Sequence, residues 1–455
     1  MSTSRARLTF VLLTLLTVSG RGSARGELRC ASGVRRGPCQ VADTSSLVFD
    51  AAGRPSVVMN FGVFAAAASS YLAVCEEAFG GVTPTHALLT ASGMLSVPSW
   101  QGIFRAPLAA PCTFALVPGL PVGAFVQQLV PDPTLPTRQW ALVGAGDERG
   151  LYVSEDDGAT FSLRHTFTKG EVWWRLVVRS GEPRRVFVAG PGRVGPFALA
   201  ISADGGATFS VRDPVADLAD VTRDTVLLDV SEDSPSRLFF ARFTPDGNDE
   251  VWVSADDGAS VQRTLVLPAG HVVGGMTFGA SPRAVYVGSR RLLLSSAGAD
   301  AALFTSSDGG LSWAPPVLSP PSGPRYRCLA WRGDALYACA GGADAGDDFL
   351  VGRSLDGVTW RPVVTLSDVQ APPACLIERC DATVGWLCMT YGICAPSLPD
   401  GGSDGGEDPG GHAGCGCQVG RPSQSSAAPL GLLFGGLLLY AHGAQRRTGA
   451  RRKNA

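Results

Sequence analysis

The densest group of side chains that could do chemistry lies near the carboxyl end and consists of Cys375, Cys380, Cys388 and Cys394. Thiolates bind zinc, but structural zinc sites usually contain closely spaced pairs such as Cys-x2-Cys. The spacings here are five, eight and six residues. We therefore expect two disulfides rather than a zinc site, because the ends of the chain carry the export signals described below.

Doubled acids at residues 156–157 and 256–257 could offer carboxylate oxygens to calcium. Calcium usually takes about six to eight oxygen ligands, and neither segment supplies that number. We interpret these acids as solvated turn residues. The sequence predicts no metal site.

Motifs for other reactions are missing from the sequence. It contains no His-Glu-x-x-His zinc helix and no Walker-type glycine loop. His86, His165 and His271 stand alone at wide spacing and are interpreted as packed or surface side chains. A net charge of −2 with 17% charged residues argues against a nucleic-acid partner. No cofactor is predicted.

Five similar segments recur along the chain and indicate its architecture. The clearest copy, residues 306–313, reads Ser-Ser-Asp-Gly-Gly-Leu-Ser-Trp, and related segments begin at Ser154, Ser202, Ser254 and Ser354. A spacing of about 50 residues is typical of the four-stranded blades of a β-propeller.

Each segment has the residue types of a tight turn between two strands. Ser and Asp side chains accept hydrogen bonds from turn amides, Gly permits positive φ, and the final aromatic can pack between blades. Apolar stretches before the segments, such as 150–153 and 183–188, show two strands per repeat. The recurring turn residues are Ser154, Asp156, Gly158, Ser202, Asp204, Gly206, Ser254, Asp256, Gly258, Ser306, Asp308, Gly310, Ser354, Asp356 and Gly357.

The pattern Ser-x-Asp-x-Gly-x-Thr/Ser-aromatic resembles the Asp box of the bacterial neuraminidase (BNR) repeat. The resemblance implies an all-β propeller with its boxes on the rim, away from the central ligand-binding face. It therefore implies a structural role for the boxes.

Two degenerate copies extend the series of boxes. Residues 107–114 keep the Thr-Phe ending of a box, and residues 75–80 are the candidate box of a first blade whose strands are expected at 46–50, 56–64 and 71–75. With the five clear boxes, these copies predict about seven blades. Six or eight blades remain open, because an N-terminal strand can close the ring by pairing with the last blade.

The remaining cysteines suggest further disulfides. Cys328 and Cys339 fall opposite each other if Gly333-Asp334 is a hairpin turn, which predicts a cross-strand bond. That turn also contains an Arg-Gly-Asp tripeptide, which a hairpin tip explains without an adhesive role. Proximity favours pairing Cys75 with Cys112, and Cys30 with Cys39 in an N-terminal strap, although sequence alone does not fix connectivity. The ten candidates are Cys30, Cys39, Cys75, Cys112, Cys328, Cys339, Cys375, Cys380, Cys388 and Cys394.

The two ends of the chain predict export. A basic start, a short apolar stretch and a small-residue site predict a signal peptide over residues 1–24. The tail, residues 415–455, contains Cys415 and Cys417, an apolar run and an Arg cluster. This order resembles the MYXO-CTERM sorting signal of myxobacteria. The resemblance implies an inner-membrane intermediate, a sorting protease and delivery to the cell surface, while a plain single-pass anchor remains the alternative.

These observations divide the chain into four parts. They are a signal peptide at 1–24, a propeller at 27–398, a Gly/Asp-rich linker at 399–414, and the Cys motif, hydrophobic helix and basic tail at 415–455.

The resemblance to sialidases sets a test for catalysis. Sialidases hold a carboxylate with three arginines, use a Tyr–Glu pair as nucleophile and base, and use an Asp as acid/base. Residues 104–107, Phe-Arg-Ala-Pro, resemble the Phe-Arg-Ile-Pro motif that carries the first arginine, which makes Arg105 the catalytic candidate. Tyr326, Arg327, Glu171 and Asp229 are the residues available for the other roles.

Two functions are consistent with the sequence. The first is a non-catalytic binding module at the cell envelope, with a protein or glycan ligand. The second is an exported, sialidase-like glycoside hydrolase with its active site on the central face. Fold does not decide between them, but the incomplete catalytic set favours the binding module.

Overall fold

The computed structural model describes residues 44–371, with gaps at 68, 81–83, 85, 112, 169–170, 182, 192–196, 217–224, 234, 244–247, 292–300, 320–323 and 341–348. Seven later residues are also described: Leu376, Cys380, Thr383, Gly385, Leu387, Cys388 and Ile393.

Seven antiparallel sheets, each built from four consecutive strands, form the blades of a propeller. Blades 1 and 2 contain β1 (Thr44–Phe49), β2 (Pro55–Met59), β3 (Gly62–Ala67), β4 (Ser70–Cys75), then β5 (Leu88–Leu89), β6 (Met94–Ser99), β7 (Gly102–Pro107) and β8 (Ala115–Leu116). Blades 3 and 4 contain β9 (Phe125–Pro131), β10 (Gln139–Ala145), β11 (Glu148–Ser154), β12 (Ser162–Phe167), then β13 (Arg175–Arg179), β14 (Arg185–Gly190), β15 (Ala198–Ser202) and β16 (Ser210–Arg212).

The other three blades follow the same plan. Blades 5 and 6 contain β17 (Thr225–Val230), β18 (Leu238–Arg242), β19 (Glu250–Ser254), β20 (Gln262–Val266), then β21 (His271–Phe278), β22 (Val285–Arg291), β23 (Ala301–Ser306) and β24 (Val317–Leu318). Blade 7 contains β25 (Leu329–Arg332), β26 (Ala335–Cys339), β27 (Val351–Ser354) and β28 (Arg361–Val364). The prediction of an all-β, seven-bladed propeller is confirmed.

The core of the propeller lies between blades. The described residues contain seven buried apolar clusters, and each joins two neighbouring blades. For example, Leu142 of blade 3 and Val188 of blade 4 share a cluster and are fully buried. The middle strands read as almost continuous apolar runs because both of their faces are covered. First strands of neighbouring blades contact one another, so these strands surround the axis and the fourth strands form the outer edge.

The end of the propeller folds back onto its beginning. A fifth strand, β29 (Val369–Gln370), pairs in parallel with β4 on the outer edge of blade 1. A disulfide joins Cys75 to Cys380, with their Cα atoms 5.7 Å apart. Cys388 is also disulfide-bonded.

These bonds correct two cysteine predictions and exclude one alternative. The pairing of Cys75 with Cys112 is wrong, and so is the pairing of Cys375, Cys380, Cys388 and Cys394 as two disulfides among themselves. The zinc alternative is wrong for Cys380 and Cys388. The physical reason is ring closure, which brings residues distant in sequence together on blade 1. The predicted bond between Cys328 and Cys339 is confirmed, within the β25–β26 hairpin.

The first blade also departs from the sequence interpretation. Residues 56–64 were expected to form one strand, but they form parts of β2 and β3 with a turn between them. Residues 75–80 do not link a third and a fourth strand. A 3-10 helix, Glu76–Phe79, follows β4 instead. The degenerate segment 107–114 does lie between the third and fourth strands of blade 2, as the five clear boxes do in blades 3–7.

Several predictions fall outside the described residues. They concern the signal peptide at 1–24, the linker and tail from 399 onward, and Cys30, Cys39, Cys112, Cys375, Cys394, Cys415 and Cys417. In the part of the chain that the structure covers, no helix is long and apolar enough to cross a membrane.

Candidate ligand-binding face

The five boxes are closed hydrogen-bonded turns. In the first, the Ser154 hydroxyl donates to Asp156 Oδ1 at 2.7 Å and accepts the Gly158 N–H at 2.8 Å. Asp156 also accepts the Thr160 N–H at 2.9 Å and the Thr160 hydroxyl at 2.6 Å. The same serine–aspartate and serine–glycine bonds occur in the other four boxes, at Ser202, Asp204, Gly206, Ser254, Asp256, Gly258, Ser306, Asp308, Gly310, Ser354, Asp356 and Gly357.

These bonds stabilise the ionised form of each box carboxylate. Burial opposes the charge of Asp156, but the bonds from Thr160 and Ser154 lower its pKa to about 2. In Asp204 the hydrogen bond from the Thr208 hydroxyl is the main cause of a lowered pKa. The pKa values of Asp256, Asp308 and Asp356 are lowered by similar hydrogen bonds. An acid held as an anion in this way is a poor proton donor.

Arg105 contacts the box of the next blade. Its guanidinium donates to the Asp157 carbonyl at 3.0 Å and to the Asp157 carboxylate at 3.3 Å. The Thr90 hydroxyl donates to the same carboxylate, and Ser92 also contacts it. A similar ion pair joins Arg185 of blade 4 to Asp257 in the box of blade 5, at 3.0 Å. Arg105 therefore joins two blades at the box turns.

The other sialidase-type candidates do not gather around Arg105 in the described residues. Tyr326 is fully buried beside Trp360, and burial raises its pKa to about 12. Asp229 pairs with Arg179. Glu171 accepts the Thr168 N–H at 3.1 Å, and the Arg327 N–H donates to the Cys339 carbonyl at 3.2 Å. A buried phenol with a raised pKa cannot serve as an accessible nucleophile.

His86, His165 and His271, interpreted from the sequence as packed or surface side chains, each contact other residues of the fold. His86 Nε2 accepts the Leu129 N–H at 2.8 Å, and burial lowers the pKa of His86 to about 4, so the ring is neutral. The His165 ring packs against Phe167 and Phe209. His271 Nδ1 lies 3.1 Å from the Ser289 hydroxyl.

Charged side chains near the axis form internal contacts that sequence reasoning missed. Arg175 and Arg179 have the same parity on β13, so they lie on one side of this first strand. Arg175 donates to the Leu228 carbonyl at 2.7 Å, and Arg179 pairs with Asp229 of the neighbouring first strand. Burial lowers the pKa of Arg175. The Arg-x-x-x-Arg spacing inside a strand is the signal that could have identified this pair.

The end of the propeller opposite the boxes displays aromatic side chains. Among the described residues, the exposed large aromatic side chains are Trp100, Trp174 and Phe243. Trp174 comes just before the first strand of blade 4, whereas Trp100 and Phe243 come just after the second strands of blades 2 and 5. First strands begin, and second strands end, at the end of the propeller opposite the boxes. We call this end the aromatic face. Exposed large apolar residues at the box end, such as Leu311 and Leu355, are aliphatic.

Trp100 is the most prominent of these aromatics, because its side chain is 65% exposed. It stacks on Phe125 at the start of β9, with ring centroids 4.4 Å apart and planes 24° apart. The turn is fixed by Ser99, whose hydroxyl donates to the Gly102 carbonyl and accepts the Gln101 N–H, both at 3.0 Å. One face of a held indole is thus presented to solvent. Such a side chain can contact an apolar or sugar-ring surface without losing much rotamer entropy.

A small pocket opens on the outer part of blade 3. Its volume is about 50 Å³, and its lining includes Glu148, Arg149 and Tyr152. Ligand pockets usually have volumes of about 300–1,000 Å³. This pocket is therefore too small for an oligosaccharide.

One group of side chains has the spacing of a metal site. Ligand atoms of Cys75, Glu77 and Cys380 lie within 4.8 Å of one another. Both sulfurs are in a disulfide, and Glu77 accepts the Thr383 hydroxyl at 3.0 Å. The group therefore offers no thiolates to a metal in this state.

Comparisons with known proteins show only a similarity of fold. No family model matches the chain, and no curated protein matches it. Among solved structures, the chain is similar to the GH74 xyloglucanase of Xanthomonas campestris, with a TM-score of 0.48 and 16% identity over 71% of this chain and 55% of that one. The GH74 enzyme of Niastella koreensis gives a TM-score of 0.47 and 15% identity, covering 71% and 54%.

An extracellular domain from B. thetaiotaomicron gives a TM-score of 0.47 and 10% identity, covering 69% of this chain and 38% of that one. This chain spans about half the length of the two GH74 enzymes. At these identities and TM-scores, the similarity carries no argument about ligand or reaction.

Proposed function

We propose that this protein is a non-catalytic binding propeller. The observation that carries the proposal is the position of Arg105, whose guanidinium is bound to Asp157 in the box turn of the next blade. It is therefore committed to a contact between blades. The residues available for the other catalytic roles lie apart from it in the described structure.

The aromatic face is the candidate binding surface. Trp100 rests on Phe125, while Trp174 and Phe243 are exposed at the same end of the propeller. Large, rigid aromatic side chains are the residues that most often carry binding energy at protein interfaces. The ligand class we propose is a protein or a glycan of the cell envelope.

Substitution of Trp100 tests this proposal. Trp100→Ala should weaken binding to envelope polysaccharide or envelope protein by roughly 2 kcal/mol, about thirtyfold in Kd. Binding is measured by biolayer interferometry with the intact protein immobilised. Trp331→Ala is the matched control, because Trp331 also stacks on an aromatic ring, Tyr286, but lies near the box end. Equal loss in both variants would contradict a ligand site at Trp100.

The alternative function is an exported, sialidase-like glycan hydrolase, supported by the resemblance of residues 104–107 to a sialidase motif. Incubation with sialosides and β-glucans, followed by detection of released sugar, should show no turnover by the wild-type protein. Turnover that disappears in Arg105→Ala, while the melting temperature shows that the variant is folded, would establish the hydrolase instead.

We also propose that the chain is exported and sorted to the cell surface through residues 1–24 and 415–455. The support is the sequence pattern of the two ends. Cell fractionation should find the wild-type protein in the outer envelope and a Cys415→Ser/Cys417→Ser variant in the inner membrane. Identical distributions would refute a role for these cysteines.

A further inference from the structure

The ring has one seam at which its two ends meet. Each of the seven blades is built from strands that are consecutive in sequence, so no four-stranded blade among the described residues combines both ends of the chain. Blade 7 and blade 1 meet through side-chain packing, in a cluster that includes Val57 and Leu350. In the described structure, the residues that follow blade 7 pair with the backbone of blade 1 through β29 and β4.

Residues after blade 7 form a strap across this seam. We define the strap as Val369, Gln370, Leu376, Cys380, Thr383, Leu387 and Ile393. Val369, Leu387 and Ile393 join the cluster between blades 7 and 1, while Leu376 and Cys380 join the cluster between blades 1 and 2. The strap thus contacts the apolar clusters on both sides of blade 1.

The backbone attachment of the strap is short. Val369 pairs with Tyr71 and Gln370 pairs with Leu72, and these two pairs make up the described ladder. The Thr383 hydroxyl adds one hydrogen bond to Glu77 at 3.0 Å. Two pairs of residues are marginal for a strand by themselves. The covalent bond at the end of β4 therefore has a large share in holding the strap.

That bond links the two sides of the closed ring. Cys75 and Cys380 are separated by 305 residues, yet their Cα atoms lie 5.7 Å apart. A bond that closes so long a loop removes more chain entropy than one that closes a short loop. Another disulfide, between Cys328 and Cys339, spans 11 residues within one hairpin. It provides an internal comparison for the effect of closing the ring.

We propose that the bond between Cys75 and Cys380 is a redox latch on the propeller. When it forms, the two thiols lose two protons and two electrons to a disulfide oxidant, which becomes a dithiol. The closed latch fixes the strap on blade 1. In the reduced protein the blades remain folded, because the five clusters that join blades 2 to 7 contain no strap residue, while the strap opens and leaves the outer edge of β4 unpaired.

The test is hydrogen–deuterium exchange of the full-length chain, read by mass spectrometry for residues 366–371 and 70–75. The Cys75→Ser/Cys380→Ser variant should exchange at least about tenfold faster than wild type in both segments. Exchange in the middle strands of blades 3–6 should stay unchanged. The Cys328→Ser/Cys339→Ser variant is the matched control and should leave both strap segments at the wild-type rate.

Wild-type protein treated with reduced or oxidised glutathione gives a second measurement if the serine variant does not fold. Faster exchange at the strap in the reduced state, reversed on reoxidation, supports the latch. Unchanged exchange at residues 366–371 after the bond between Cys75 and Cys380 is reduced would overturn it. Loss of protection throughout blades 3–6 would also overturn it, because the bond would then be needed for the whole fold.

Discussion

At the scale of single residues, the fourth residue of a box can contact the preceding blade, as it does in the boxes of blades 3 and 5. Asp157 and Asp257 adopt positive φ values of 62° and 58°, which are uncommon for a residue with a Cβ atom. Each carboxylate is paired with an arginine of the preceding blade, Arg105 or Arg185. We infer that these ion pairs help to offset the backbone strain.

The pair formed by Arg105 and Asp157 should stabilise the contact between blades 2 and 3. Arg105→Ala should lower the free energy of unfolding by about 1–3 kcal/mol, because it leaves a mostly buried carboxylate with fewer partners. Side-chain exposure is 17% for Arg105 and 15% for Asp157, so solvent screens the pair only in part. The measurement is urea unfolding.

A double-mutant cycle separates this pair from general damage. Asp157→Asn keeps the shape and tolerates the positive φ, so the coupling with Arg105→Ala should be about 1 kcal/mol. Arg332→Ala, at an exposed hairpin tip, is the control and should change stability little. Zero coupling would mean that the ion pair contributes nothing.

At the scale of elements, the box turn is a hairpin that must fit against another blade. Gly309 takes the position of Asp157 in the box of blade 6, with φ at 80°. A Cβ atom there would lie 1.4 Å from the Arg237 guanidinium, which donates to the Asp308 carbonyl at 3.2 Å. The glycine therefore provides both the backbone conformation and the space for an arginine from blade 5.

Two glycine substitutions should differ in cost for this reason. Gly333→Ala, in the β25–β26 turn with φ at 64° and no atom within 4 Å of the new Cβ, should cost about 1–2 kcal/mol of backbone strain alone. Gly309→Ala should cost about 1–3 kcal/mol more, because Arg237 must move. Chemical unfolding of the two variants measures the difference. Equal costs would show that Arg237 moves without penalty.

At the scale of the whole molecule, five box carboxylates are distributed over blades 3–7. Each has a pKa below its usual value, so each contributes stability that is fully present above the unfolded pKa of about 4. That contribution is lost as pH falls through the lower folded pKa. We expect a steep loss of stability between pH 4 and pH 2 because the five contributions act together.

Melting temperatures between pH 6 and pH 2, measured by differential scanning calorimetry, check this expectation. The stability that Asp156 contributes is lost between its unfolded pKa of about 4 and its folded pKa of about 2. Asp156→Asn should melt below wild type at pH 6, and its further loss on acidification should be smaller, since one titrating group is missing. A melting temperature independent of pH below 4 would contradict this role of the boxes.

The repeat by itself indicated about seven blades and placed the five clear turns between strands, because tight turns and apolar strands depend on neighbouring residues, but the count of seven rather than six or eight came from the structure. The sequence also predicted the bond between Cys328 and Cys339, because the two cysteines face each other across one turn. The pairing of Cys75 with Cys380, the partner of Arg105 and the common face of Trp100 and Trp174 were decided only by the tertiary structure. These contacts depend on how blades pack and how the ring closes, and residues that meet in this way leave no local pattern in the sequence.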